Sequence, residues 1–295
     1  MRFRALARPT GTWLLIAVMG LSCRYASVAA QIPSGSPANS GALTLQGGLD
    51  IPTLYIYRGI VQEGDPKLTF MPFGDIGIRL SGSDGAVGST RVDMGIWNSL
   101  NTGSSGTGGP LKALHYAEQF YATLTIGLPR HLTLTPGYLA NSSPNRSYQT
   151  VREVNVKVAH FSRIAPYALV AFELSDTGQL DGGAKTGTYL EFGAGPTRGL
   201  PFWSAQLTVP IKVGVSLRDY YELFGSDLQY RDNRFGFFDI GGVITVPVST
   251  LTSRFGQWNI HSGADVLTFG TTTTAFNRGN KRKTVVTLIG IGLTY

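Results

Sequence analysis

Between Trp203 and Arg218, hydrophobic and polar residues alternate without a break. Trp203, Ala205, Leu207, Val209, Ile211, Val213, Val215 and Leu217 fall on one phase. Ser204, Gln206, Thr208, Pro210, Lys212, Gly214, Ser216 and Arg218 fall on the other. Successive side chains of a strand point to opposite faces, so the stretch specifies a strand with one apolar face and one polar or small face. At roughly 3.3 Å per residue it would span about 50 Å, whereas soluble strands have about five or six residues. A tilted strand needs about 9–11 residues to cross a bilayer. The length points to a membrane barrel whose strands run beyond the lipid, and away from a soluble sandwich.

The same code recurs along the chain. Ile76, Ile78 and Leu80 alternate with Asp75, Gly77, Arg79 and Ser81; Val92, Met94 and Ile96 with Arg91, Asp93 and Gly95; Phe120, Ala122, Leu124 and Ile126 with Gln119, Tyr121, Thr123 and Thr125. Val154, Val156 and Val158 alternate with Glu153, Asn155, Lys157 and Ala159, and Trp258, Ile260, Ala264 and Val266 with Gln257, Asn259, His261 and Asp265. After the leader, no stretch has helical periodicity. Twelve strands are predicted, near 42–60 (kinked at Pro52), 67–81, 88–99, 114–128, 131–140, 148–161, 165–175, 187–195, 202–218, 235–248, 256–269 and 283–295. The connections at 100–113, 141–149, 176–186, 219–234 and 270–282, after odd-numbered strands, are long; those after even-numbered strands are shorter, Pro129-Arg130 being the tightest. Even strand numbers with short turns at one end and long loops at the other define outer-membrane barrels. The expected fold is therefore all-β, a single antiparallel transmembrane β-barrel over 42–295.

The first 30 residues read as a signal peptide. Arg2, Arg4 and Arg8 form a basic start, Trp13–Leu21 an apolar run, and Val28-Ala29-Ala30 a small-residue cleavage site before Gln31. The apolar run is too short to span a bilayer as a helix. A lipoprotein signal ending at Cys23 is the rival, but Gly20 and Arg24 flank that cysteine poorly for lipidation. Residues 31–41 read as a periplasmic lead. Charged residues make up only 15% of the chain, against roughly 25% in soluble domains. The net charge of +7 is also misleading: the leader holds four of the 25 basic residues and no acid, which leaves 21 basic against 18 acidic residues, or +3. Nucleic acid is not an expected partner. Outer-membrane lipids, the barrel-assembly machinery and small solutes are.

Two resemblances are carried by particular residues. The last eight, Leu288-Ile289-Gly290-Ile291-Gly292-Leu293-Thr294-Tyr295, resemble the terminal barrel-assembly signal of outer-membrane proteins: Gly290, Leu293 and Tyr295 match it, and Leu288 stands where a polar residue is usual. A terminal aromatic has a physical place at the lipid–water interface. Tyr57-Arg58-Gly59-Ile60, followed by Gln62, and Gly95-Ile96-Trp97-Asn98-Ser99 resemble the YRG[IV]xQ and G[VI]WxS landmarks of a family of bacterial outer-membrane proteins grouped as porins. Tyr116-Ala117-Glu118-Gln119 sits where that family has an acidic strand start. The resemblance implies a barrel in the bacterial outer membrane and a passive pore, with no established substrate.

The residue types for a catalytic centre do not assemble. His160-Phe161-Ser162 and the pair His261 and Asp265 have strand spacing, yet neither carries the flanks of a lipid-modifying barrel enzyme. No His pair has metal-ligand spacing and the mature chain has no cysteine, so no metal or other cofactor is expected. Charge on the polar phases is the stronger signal. Arg58 is expected to point inward among Asp75, Arg79, Arg91, Asp93, Glu153, Lys157, Glu191, Lys212, Asp239 and Asp265. These could line a selective constriction, because rings of charge set selectivity in pores, or form a structural ion-pair network filling a small lumen. Arg58 and the Arg and Asp positions of the first three strands are expected to be near neighbours that partly neutralise one another. The aromatic-rich loop from Asp219 to Phe235 would constrict the lumen if folded in, and offer an adhesion surface if pointing out. The functional expectation is a porin for passive diffusion, the alternative a non-conducting surface barrel that binds or scaffolds.

Overall fold

In the computed structural model the described residues are 41–62, 67–84, 86–103, 114–175, 185–248 and 256–295. The strands are β1 (Leu43–Pro52), β2 (Ile56–Tyr57), β3 (Ile60–Val61), β4 (Thr69–Ser81), β5 (Thr90–Asn101), β6 (His115–Leu128), β7 (Leu132–Ser142), β8 (Val151–His160), β9 (Tyr167–Glu173) and β10 (Thr188–Ala194). They continue as β11 (Thr197–Gly199), β12 (Gln206–Thr208), β13 (Ile211–Arg218), β14 (Glu222–Phe224), β15 (Tyr230–Asp232), β16 (Phe235–Pro247), β17 (Gln257–Phe269) and β18 (Lys283–Thr294), with a short helix α1 (Thr271–Phe276) before the last.

Neighbours in sequence are neighbours in the wall, all antiparallel: β1, β4, β5, β6, β7, β8, β9, β10, β13, β16, β17 and β18. Pairing of β1 with β18, from Gln46 opposite Thr294 to Pro52 opposite Leu288, closes the ring. β11 prolongs β10 and β12 leads into β13, so the wall has 12 staves. Both breaks fall at proline, which lacks the N–H a ladder needs: Pro196 follows Gly195, and Pro210 separates β12 from β13. The two breaks lie side by side, and the Val209 N–H donates to the Pro196 carbonyl at 2.9 Å.

Burial is inverted relative to a soluble protein. Ile76, Ile78, Met94, Ile96, Val154, Val156, Ile260 and Val266 are exposed on the outside, whereas Asp75, Asp93, Glu153, Asn155, His261 and Asp265, on the opposite phase, are buried inside. That is the pattern of a barrel whose solvent is lipid. Both wall termini, Leu43 and Thr294, lie at one end, here the terminal end; it carries tight turns, as at 129–131, and the longer β11–β12 excursion. The opposite, loop end carries 53–62, 67–68, 143–150, 219–234 and 270–282.

Two expectations need correction. The long strand at 202–218 is shorter than the alternation suggests: Trp203 and Ser204 occupy a turn, both with φ of 52°, and the wall begins at Gln206. A left-handed turn can carry alternating residues without being strand, so periodicity alone overshot the boundary. The first strand does not continue to residue 60. It stops at Pro52, and the chain then turns into the barrel as the hairpin β2–β3. Apolar residues inside a plugged lumen and apolar residues facing lipid look the same in sequence.

Candidate functional site in the lumen

The β2–β3 hairpin brings its tip, Arg58-Gly59, into the barrel interior. Both tip residues are left-handed, with φ of 47° and 81°, the conformation that two-residue hairpins need to match strand twist. Glycine at 59 has a second cause: a Cβ there would sit 2.9 Å from Cβ of Phe237. Arg58 pays a backbone penalty of about 1–2 kcal/mol for its conformation, and its side chain offsets it. The guanidinium forks onto Glu153 of β8, Nη1 to Oε1 at 2.6 Å and Nη2 to Oε2 at 2.7 Å, and Nη1 also donates to the Tyr220 hydroxyl at 2.8 Å. It lies 4.2 Å over the Tyr189 ring centroid. Each bond to a charged group contributes about 1.5–3 kcal/mol. The Arg58 carbonyl accepts from the Tyr221 hydroxyl at 2.8 Å, and the Val61 N–H donates to Oδ1 of Asn277 at 3.0 Å.

The loop-end segments therefore hold the hairpin in place. The 219–234 connection splits its roles: Tyr220 and Tyr221 are buried against Arg58, while Phe224, Leu228 and Tyr230 of the β14–β15 hairpin are exposed. Helix α1 supports it from the side, Thr272 Oγ1 donating to the Tyr221 carbonyl at 2.7 Å and Thr273 Oγ1 to the Gly236 carbonyl at 2.6 Å.

Towards the terminal end the interior turns from aromatic to charged. Glu191 accepts from Tyr189 at 2.5 Å and from Tyr167 at 2.6 Å. Lys157 lies 4.3 Å over the Tyr167 ring centroid, and Lys212 pairs with Asp239 at 2.9 Å. Asp75 accepts from the Tyr121 hydroxyl at 2.8 Å. Arg91 bridges Asp93 at 2.6 Å and Asp84 at 3.3 Å, and Arg79 donates to the Gly41 carbonyl at 3.0 Å. Asp265 leans over Gly241, where a Cβ would come within 1.8 Å of its Oδ1. Ten of the eleven charged candidates thus sit on the luminal phase of the wall, and Arg58 lies inside on the hairpin tip. The expected neighbourhood of Arg58 does not form, however: Arg91 and Asp93 pair near the terminal end, while Arg58 reaches Glu153, 95 residues away, because the hairpin carries it off the wall and across the lumen.

Sequence reasoning missed the pair formed by Asp50 and His261. His261 Nε2 lies 2.8 Å from Asp50 Oδ1, and Nδ1 lies 3.0 Å from Asn259 Oδ1. Asp50 belongs to β1 and His261 to β17, so the pair spans β18 at the seam where the barrel closes. Gly290 of β18 lies beneath it: a Cβ would stand 2.3 Å from His261 Nε2 and 2.4 Å from Asp50 Oδ1. Leu293 and Tyr295 share the outward phase of β18, and Tyr295 is exposed. The aromatic lining was also missed, although Tyr121 falls on the polar phase of Gln119 and Thr123 and Tyr189 on that of Glu191, which gives a signal there. Tyr55, two residues before the first landmark segment, reaches the second through it. Tyr55 packs on Trp97 with ring centroids 5.0 Å apart and on Tyr116 at 6.3 Å, and Gly95 makes room for the Tyr121 ring. No group of three or more His, Cys, Asp or Glu residues able to hold a metal occurs among the described residues.

No protein-family model matches the chain, and no curated protein matches it. Similar solved structures include the NanC porin (12% identity, 85% of this chain and 99% of that one, TM-score 0.42). Others are the translocator domain of the autotransporter NalP from Neisseria meningitidis (13% identity, 90% and 91%, TM-score 0.41) and Salmonella typhi OmpF in complex with daunomycin (9% identity, 86% and 97%, TM-score 0.39).

Proposed function

We propose that this barrel resides in the bacterial outer membrane, terminal end towards the periplasm, and acts as a constricted porin for passive diffusion of small polar solutes. The carrying observation is the charged inner face: Asp75, Arg79, Arg91, Asp93, Glu153, Lys157, Glu191, Lys212, Asp239 and Asp265, from β4, β5, β8, β10, β13, β16 and β17, point inward, up to the hairpin tip. Arg79, Arg91, Lys157 and Lys212 keep partial solvent exposure, whereas Arg58 and Glu153 do not. The interior therefore reads as a wet, mixed-charge vestibule leading to a narrow Arg58–Glu153 throat. Fixed charges of both signs favour small charged or zwitterionic solutes over large apolar ones. Membership of the YRG[IV]xQ porin family, export by residues 1–30 and assembly through Gly290, Leu293 and Tyr295 belong to the same proposal, which assigns no catalytic role.

A second reading is favoured by one observation. The hairpin tip is held by a bidentate ion pair, a tyrosine hydroxyl and a ring face at once, which suits a permanently stoppered, non-conducting scaffold. Purified full-length mature protein in planar bilayers distinguishes the two. Channel events in the wild type, enlarged by Arg58→Ala, support the porin. No events in either protein, with no solute uptake into liposomes, leave the scaffold.

A further inference from the structure

Three adjacent turns at the terminal end form a rim whose composition differs from the rest of the surface. The β6–β7 turn holds Arg130 and His131, the β8–β9 turn Arg163 and Ile164, and the segment from β11 to β12 holds Arg198, Phe202 and Trp203. Backbone bonds tie them together. The Phe161 N–H donates to the His131 carbonyl at 2.7 Å, the Gly195 N–H to the Ile164 carbonyl at 2.9 Å, and the Thr197 N–H to the Arg163 carbonyl at 3.4 Å.

The three arginines are exposed, and none meets a carboxylate among the described residues. No Asp or Glu occurs in 129–131, 161–166 or 195–205. Beside these cations stand exposed apolar side chains: Trp203 at 78%, Ile164 at 59% and Phe202 at 45%. The rim is thus cationic and aromatic together, directly below the apolar outer face of the wall.

Two of the turns hold these residues at a backbone cost. Arg130 and His131 have φ of 61° and 57°, and Trp203 and Ser204 have 52° each. Asn-Gly meets that requirement without strain. Large side chains held in such positions mark a use for them.

We propose that this rim binds the phosphate headgroups of anionic phospholipid, phosphatidylglycerol-like in chemistry, in the leaflet at the terminal end. Guanidinium groups fork onto phosphate, unpaired basic residues are drawn to an anionic membrane surface, and Trp and Phe seat at the headgroup level. The three segments hold no carboxylate, and Asp84 of the neighbouring β4–β5 connection is engaged by Arg91, so the charge complementarity is one-sided. The inference rests on the membrane-resident reading above but not on conduction.

The test is native mass spectrometry of the mature barrel released from mixed vesicles of phosphatidylglycerol and phosphatidylcholine, with lipopolysaccharide as a competing probe. The wild type should retain phosphatidylglycerol at least about tenfold over phosphatidylcholine. The triple variant Arg130→Gln, Arg163→Gln, Arg198→Gln should lose that preference while still running as a folded, heat-modifiable barrel. The corresponding triple lysine variant should keep most of it, and Trp203→Ala should weaken retention of both lipids. Equal retention of the two lipids, an unchanged preference in the glutamine variant, or a preference for lipopolysaccharide over phosphatidylglycerol would overturn the proposal. Absence of channel activity with lipid preference intact would remove the porin reading alone.

Discussion

Arg58→Ala tests the luminal clamp directly. In the wild type the two guanidinium nitrogens meet both Glu153 oxygens at 2.6 and 2.7 Å, and the side chains are 2% and 0% exposed. Truncation leaves the Glu153 carboxylate buried without its counter-charge, and breaking such a pair from one side costs about 3–5 kcal/mol. The lost contact with the Tyr189 face adds up to about 2 kcal/mol. Water entering the vacated space rehydrates Glu153 and offsets part of this. Alanine keeps a Cβ, so the left-handed strain at φ 47° is not relieved. A net loss of about 3–5 kcal/mol is expected. Denaturant unfolding of the detergent-solubilised barrel, followed by heat-modifiable gel migration, reads it out. The companion Glu153→Gln carries an internal control: Arg58→Ala with Glu153→Gln should be more stable than Arg58→Ala alone, since no charge is then left buried, and the cycle isolates the pair. A loss under about 1 kcal/mol in Arg58→Ala, with no gain in the double variant, would refute the clamp.

Three further outcomes follow from the same geometry. Gly290→Ala should impair barrel closure by driving Asp50 and His261 apart, and adding Asp50→Ala with His261→Ala should restore folded yield; if it does not, the glycine serves recognition by the assembly machinery instead. Val213→Arg, on the lipid phase of β13, should cost about 2–4 kcal/mol near the midplane, whereas Gln206→Lys on the luminal phase should be close to neutral; equal costs in unfolding assays would contradict the face assignment. In the exposed β14–β15 hairpin, the hydrogen bond from Arg231 holds the Asp227 carboxyl below its ordinary range. A depressed folded value means the stabilisation is present at neutral pH and is lost as pH falls through that value. Protection factors for amide exchange within 222–232, taken relative to the intrinsic rate at each pH, should therefore fall in acid in the wild type and stay level over that range in Asp227→Asn.

The wall of this protein was legible in its sequence, because a strand between lipid and a polar interior must alternate, and a ring must close with an even number of antiparallel staves. The polar phases at 75–79, 91–93 and 153–157 identified the luminal charges without any knowledge of their partners. What the alternation could not tell was which apolar segment faces lipid. Ile56 and Ile60 obey the same period as wall residues, yet they lie inside, because a plugged lumen and a bilayer reward the same side chains. Partnership was equally hidden. Arg58 meets Glu153 across 95 residues and Asp50 meets His261 across 211, since each pair is made by closure of the ring or by a hairpin crossing it. Local spacing encodes the face a side chain takes; only the closed tertiary structure decides which distant face it meets.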